Sequence, residues 1–147
     1  MHGSELSTSV REALSSDAQR IASLGLQLGY EIPVAHVQRF METLRESEAL
    51  FVAVVPRAGV IGWVSIAESH TLTASARAEI HGLVVEDEFR GHGIGRALVA
   101  AAEAWARRRG CTALRLLSNV IRERAHDFYR DLGYDVLKTE HVFQKTL

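Results

Sequence analysis

The chain is short of several things, and each shortage excludes a class. It has one cysteine, Cys111, so an internal disulfide is excluded and a reducing, cytoplasmic setting is expected. No apolar run approaches a bilayer span, and the N-terminal stretch lacks the basic-then-apolar order of a secretion signal, so no membrane partner is expected. Charge of either sign is not in surplus: 17 Lys and Arg against 18 Asp and Glu leave a net charge of -1. A nucleic-acid partner needs a basic excess to neutralise phosphates and is therefore not expected. The seven histidines are scattered, and Cys111 has no second ligand at zinc-like spacing, so no metal is expected. No repeat, linker or low-complexity run divides the 147 residues, which predicts a single domain over 1–147. The remainder, 47% hydrophobic and 24% charged, is an ordinary globular mix.

Taken in order, residues 1–9 carry no pattern and read as a loose end. Residues 10–13 read as a short first strand. Ser16 and Asp17 offer an N-cap to a helix with Ile21, Leu24 and Leu28 at helical spacing. Residues 29–33 break it, and a second helix presents Val37, Phe40, Met41 and Leu44. Each helix is apolar on one side only, so the pair is expected to cover something. Residues 50–55 and 60–65 flank the turn Pro56-Arg57-Ala58-Gly59 and predict a hairpin. After a polar loop over 70–76, a strand is expected through 79–85. Gly82 inside it marks either a bulge or close backbone approach, or a glycine facing a bulky neighbour such as Trp63. A long helix comes next with Ile94, Leu98, Ala101 and Trp105 on one face, ending at Arg107-Arg108-Arg109-Gly110. Residues 111–117 alternate as a strand, and strand–helix–strand predicts parallel neighbours with a right-handed crossover. A last helix, capped by Ser118 or Asn119, buries Ile121, Ala125, Phe128 and Leu132 and stops at Gly133. Residues 134–137 and 141–143 predict a closing hairpin.

Between the strand and the long helix lies Arg90-Gly91-His92-Gly93-Ile94-Gly95-Arg96. Glycine at a helix start costs about 1 kcal/mol relative to alanine. Three within five residues imply that something approaches the backbone too closely for a Cβ. The free N–H groups of a first helical turn suit an anion, so a phosphate-bearing ligand is the expected guest, with Arg90 and Arg96 adding charge. A P-loop would close on Gly-Lys-Ser/Thr, which is missing. A dinucleotide fingerprint would put glycine where Arg96 stands and its first glycine directly after the strand, where Glu86-Asp87-Glu88-Phe89 intervenes.

The run resembles instead the acyl-CoA pyrophosphate loop of the GNAT family of N-acetyltransferases. That family's Gln/Arg-x-x-Gly-x-Gly/Ala pattern is matched by Arg90, Gly93 and Gly95. Ala125-x-x-Phe128-Tyr129-x-x-x-Gly133-Tyr134 resembles a second stretch of the family, and together the two span roughly the C-terminal half. The resemblance implies an α/β (α+β) fold with a central mixed sheet, splayed between strands 4 and 5 and flanked by about four helices. It implies acetyl-CoA as donor, its pyrophosphate on Arg90, Gly91, His92, Gly93, Ile94, Gly95 and Arg96. Its pantetheine would meet the backbone N–H groups of Leu83 and Val85, or of Val84 if a bulge shifts the register. The implied reaction is acetyl transfer to a primary amine of a small molecule or peptide, by direct attack through a tetrahedral intermediate. A family member that only binds acyl-CoA, as a sensor or interaction module, is the alternative. The family often has asparagine three residues before the counterpart of Ala125. Here Arg122 stands there and Asn119 comes three residues earlier, either to reach pantetheine or to cap the helix.

Acyl transfer from a thioester needs a base for the ammonium proton, donors for the oxyanion and an acid for the leaving thiolate. By resemblance, Tyr129 is the acid; it lies beside the stripe of Phe128 and Leu132, so its ring can pack while its hydroxyl reaches a cleft. Glu79 is the expected base, directly or through water, as a carboxylate whose pKa desolvation would raise. His81, on the same face by alternation, rivals it. The acceptor is expected between the first two helices and the last hairpin, and a homodimer through the last strand is expected from its edge position.

Overall fold

The computed structural model describes residues 7–118 and 123–147. Five strands form one mixed sheet in the order β1-β2-β3-β4-β5: Ser9–Glu12, Glu48–Val55, Gly59–Thr71, Ala74–Val85 and Leu114–Leu116. The first four are antiparallel in succession, and β5 runs parallel to β4. The helices are α1 (Ala18–Gly25), α2 (Val34–Glu42), α3 (Ile94–Arg108) and α4 (Glu123–Asp131). The chain divides into two compact units, Met1–Leu116 and Leu117–Leu147, each described by itself.

In the first unit each side of the sheet is covered because its strands alternate and its helices carry one apolar stripe. Ile21, Leu24 and Val37 of the α1–α2 pair pack on Leu50, Val52, Trp63 and Val84. On the other side α3 buries Ile94, Leu98, Val99, Ala102, Trp105 and Ala106. The expected stripe is rotated slightly, since Val99 and Ala102 are buried and Ala101 is half-buried. Gly110, at φ +79°, ends the helix as expected. Arg109 donates to the Glu68 carboxylate and lies 5.7 Å from the Trp105 ring, which fixes the helix end against β3.

Three expectations are corrected. Asp17 does not cap α1 with its side chain; it accepts the Leu14 N–H at 2.7 Å and pairs with Arg11 at 2.7 Å, pinning β1 to the turn that enters α1. Residues 70–76 are no loop: β3 runs to Thr71 and β4 starts at Ala74, so the hairpin is longer than its apolar alternation. Residues 134–147 contain no strand, so the closing hairpin is not formed.

Besides a register shift near its start, between the Ser69–Arg77 and Thr71–Ala74 pairs, β4 has two irregularities that bear on the site. Ser65 faces Gly82 while Ile66 faces Ile80, so the bulged residue is His81. Pairing with β5 covers only Ala78, Glu79 and Ile80, then stops. The sheet thus splays between strands 4 and 5 beside the bulge.

Candidate active site

The glycine run links β4 to α3 through a short 3₁₀ turn at Asp87–Phe89. Gly91 and Gly93 have φ of +83° and +80°. Any other residue in that left-handed conformation costs about 1–2 kcal/mol. A Cβ at either position would meet nothing within 4 Å, so the backbone turn demands glycine while the space outside it stays open. The first intrahelical bond runs from the Ala97 N–H to the Gly93 carbonyl at 3.0 Å. The N–H groups of Ile94, Gly95 and Arg96 therefore point out of the first turn, at the positive end of the helix dipole. Arg90 is paired with Asp87 at 2.9 Å, and His92 and Arg96 are exposed. The donor set suits a pyrophosphate.

Along β4 the Glu86 N–H bonds the Ile61 carbonyl at 2.7 Å, so alternation turns the N–H groups of Leu83 and Val85 away from β3. They face the edge that β5 has left, whereas the Val84 N–H faces β3 and its side chain is buried. At Gly82 a Cβ would stand 2.7 Å from Trp63 Cζ3, so this glycine faces the indole.

Glu79 lies on the α1–α2 face of β4, opposite Ala67 and beside Arg115 of β5. Arg77 Nε approaches its carboxylate at 3.5 Å and His81 Nε2 at 3.7 Å. The two residues weighed as base are thus brought together, with a guanidinium on the other side. Tyr129 belongs to the second unit, where its ring meets Phe128 and Tyr134 edge-on at 5.1 and 6.2 Å. The Tyr134 N–H bonds the Tyr129 carbonyl at 3.0 Å as α4 ends at Gly133, φ +93°. Asn119 lies outside the described residues.

Three residues at the base of the loop were not foreseen. Arg20 and Gln27 both bond the Glu86 carboxylate, at 2.7 and 3.0 Å, across some sixty residues of chain that leave no local pattern. On the outer side of α1, an open cleft of about 500 Å³ is lined by Gln19, Ser23, Leu26, Glu31 and Ile32 among others, near where the acceptor was expected. Burial pushes the Cys111 thiol up, aided by Glu68, which disfavours the thiolate a nucleophile needs. Among the described residues no cluster of His, Cys, Asp or Glu can hold a metal ion, and no helix is long and apolar enough to cross a membrane.

The sequence profile of the acetyltransferase (GNAT) family matches residues 12–134. The chain is 29% identical over 138 residues to an aminoglycoside N(6')-acetyltransferase type 1 of Stenotrophomonas maltophilia, covering 90% of this chain and 88% of that one. It is 32% identical over 138 residues to an uncharacterized N-acetyltransferase of Chlorobaculum tepidum, covering 94% and 82%. The solved structure of aminoglycoside N-acetyltransferase AAC(6')-Iy in complex with CoA superposes with a TM-score of 0.85 over 100% of both chains at 17% identity, a likeness of fold. With a glycine loop built for an anion, a sheet splayed beside it and a profile match over most of its length, the chain belongs to the acetyltransferase (GNAT) family of acetyl-CoA-dependent N-acetyltransferases.

Proposed function

We propose that this chain transfers the acetyl group of acetyl-CoA to a primary amine by direct attack, using both compact units as one domain. The observation that carries the reading is the loop: left-handed glycines, outward N–H groups and open space directly beside the strand edge freed by the splay. The family match running from 12 to 134, across both units, supports treating them together.

In this reading residues 90–96 hold the pyrophosphate, and the N–H groups of Leu83 and Val85 hold the pantetheine and polarise the thioester carbonyl. Glu79 takes the ammonium proton, directly or through water, and His81 beside it is the rival for that role. The freed amine attacks the carbonyl carbon and forms the C–N bond. Collapse of the tetrahedral intermediate breaks the C–S bond; the Tyr129 hydroxyl gives its proton to the departing thiolate, and its phenolate regains one from the new amide nitrogen, which must shed one of its two protons. Asn119 is assigned to the pantetheine. Direct transfer needs no acyl-enzyme, which agrees with the raised Cys111 thiol. The name of the Stenotrophomonas relative puts aminoglycosides first among amines to test. A cytoplasmic setting rests on the single cysteine. The homodimer remains a proposal of the sequence reading alone, since residues 134–147 form no edge strand; light scattering giving only monomer disposes of it.

The test is isothermal titration with acetyl-CoA of wild type and Gly93→Val, followed by an amine screen read by thiol release. Binding to wild type and none to the folded variant is expected. A folded wild type that ignores acetyl-CoA overturns the reading, and binding with no turnover on any amine favours the sensor alternative.

A further inference from the structure

We propose that Arg20 and Gln27 are positioning residues that hold the glycine loop ready for CoA from its base, a role that rests on the acetyl-CoA reading. The Gln27 amide bridges two consecutive residues at the loop entrance. Its Nε2–H donates to Glu86 Oε2 at 3.0 Å, and its Oε1 accepts the Asp87 N–H at 3.1 Å. Both ends of the amide are used, so its orientation is set by its partners. Arg20 donates from Nη2 to the same Glu86 oxygen at 2.7 Å and from Nε to the Val60 carbonyl at 2.8 Å. Glu86 is itself tied to β3 through its N–H on Ile61.

These bonds converge where the chain leaves the sheet, and directly beyond them lie the Asp87–Phe89 turn, Arg90 and the two left-handed glycines. A glycine-rich loop has little side-chain packing of its own, so its entrance angle depends on whatever holds its first residues. The Glu86 side chain, on which the Arg20 and Gln27 donors converge, is only 19% exposed. A loop held in its binding shape spares the ordering cost that a loose one meets when the ligand arrives. Arg20 stands on α1, whose residues Gln19 and Ser23 line the open cleft, and Gln27 in the 3₁₀ turn Leu26–Leu28 that follows it; the Ser23 hydroxyl also accepts from Arg20 Nη1 at 3.3 Å.

The experiment is titration of CoA into wild type, Gln27→Leu and the double variant Gln27→Glu/Glu86→Gln, with hydrogen exchange of loop amides 87–96 read in parallel. Loss of the bridge in Gln27→Leu is expected to weaken CoA binding about tenfold and speed loop exchange. The double variant moves the carboxylate across the pair and keeps an acceptor for the Asp87 N–H, but it removes the Glu86 oxygen that Arg20 and Gln27 share, so it is expected to recover only part of the affinity lost in Gln27→Leu. A melting point that falls while CoA affinity and loop exchange stay unchanged marks a purely structural contact and overturns the proposal. If Gln27→Leu does not fold, Arg20→Lys takes its place. It is expected to bind about threefold more weakly, and unchanged affinity there also overturns the proposal. Wild type that fails to bind CoA brings down the acetyl-CoA reading and the positioning role together. Tight wild-type binding with indifferent variants removes only the positioning role.

Discussion

Replacing Gly82 with alanine sets two opposite effects against each other. Its φ lies outside the left-handed region, so alanine is conformationally acceptable and gains about 0.4–1 kcal/mol by restricting the unfolded chain. Against this, the new Cβ would stand 2.7 Å from Trp63 Cζ3 and 2.9 Å from Cη2. Carbon atoms settle about 3.5–4.0 Å apart, so the indole must retreat by about 0.8 Å or more. It is buried and anchored by its Nε1–H on the Ile21 carbonyl at 3.2 Å, so retreat weakens that bond as well. Overpacking costs about 1–3 kcal/mol and a weakened hydrogen bond about 1 kcal/mol more, which outweighs the backbone gain. A net loss of about 1–3.5 kcal/mol lowers the melting point by about 3–10 °C for a chain of this size. Thermal unfolding followed by circular dichroism reads it. In a Trp63→Phe background the smaller ring leaves room for the methyl, so the alanine substitution should there cost nothing or stabilise. A higher melting point for the single variant, with weakened CoA binding, refutes this reasoning and returns Gly82 to the role of admitting ligand.

The remaining predictions concern chemistry and pH. Tyr129→Phe should lower turnover about a hundredfold or more while CoA affinity stays within about twofold; unchanged turnover removes Tyr129 from the mechanism. Glu79→Gln should lose activity more than His81→Gln, and the reverse order assigns the base to His81. The Arg11 hydrogen bonds, and then the Leu14 N–H, hold the Asp17 carboxyl below its usual range. A depressed folded-state pKa contributes stability that is whole above the unfolded value and is lost as pH falls through the folded one. Asp17→Asn should therefore melt about 3–6 °C lower at pH 7, with the gap starting to narrow below about pH 4 and vanishing only below the folded-state pKa; a gap that does not narrow on acidification contradicts the linkage.

Whether a feature could be read in the sequence depended on whether it leaves a local mark. The loop did, because left-handed turns leave glycine at fixed positions and a helix start can be read from its periodicity. The first hairpin did, because residues 50–55 and 60–65 alternate against a core. The 70–76 hairpin did not, since its strands run past the core, and His70, Thr71, Ser75 and Ala76 are exposed with no apolar face to show. The closing hairpin was a reading of β propensity, which expresses fit to a neighbouring strand more than a preference of the backbone. Arg20, Gln27 and Glu86 meet only through the fold, and no spacing could announce them.

The bulge at His81 connects the splay to the chemistry. Counting back from Gly82 by strict alternation would put Ile80 and Ala78 on the α1–α2 face and Glu79 and Arg77 against α3. The extra residue reverses that parity. Ala78 and Ile80 are instead buried toward α3, opposite Glu68 and Ile66, while Glu79 and Arg77 join Gly82 and Val84 on the α1–α2 face. The bulge falls where β5 makes its last pairing, at Ile80 with Leu116. One inserted residue therefore aims the carboxylate and sits where the Leu83 and Val85 N–H groups lose a strand partner. Gly82 was the residue flagged in the sequence, but the bulge lies beside it at His81, because a bulge of this kind needs an additional residue and not a glycine.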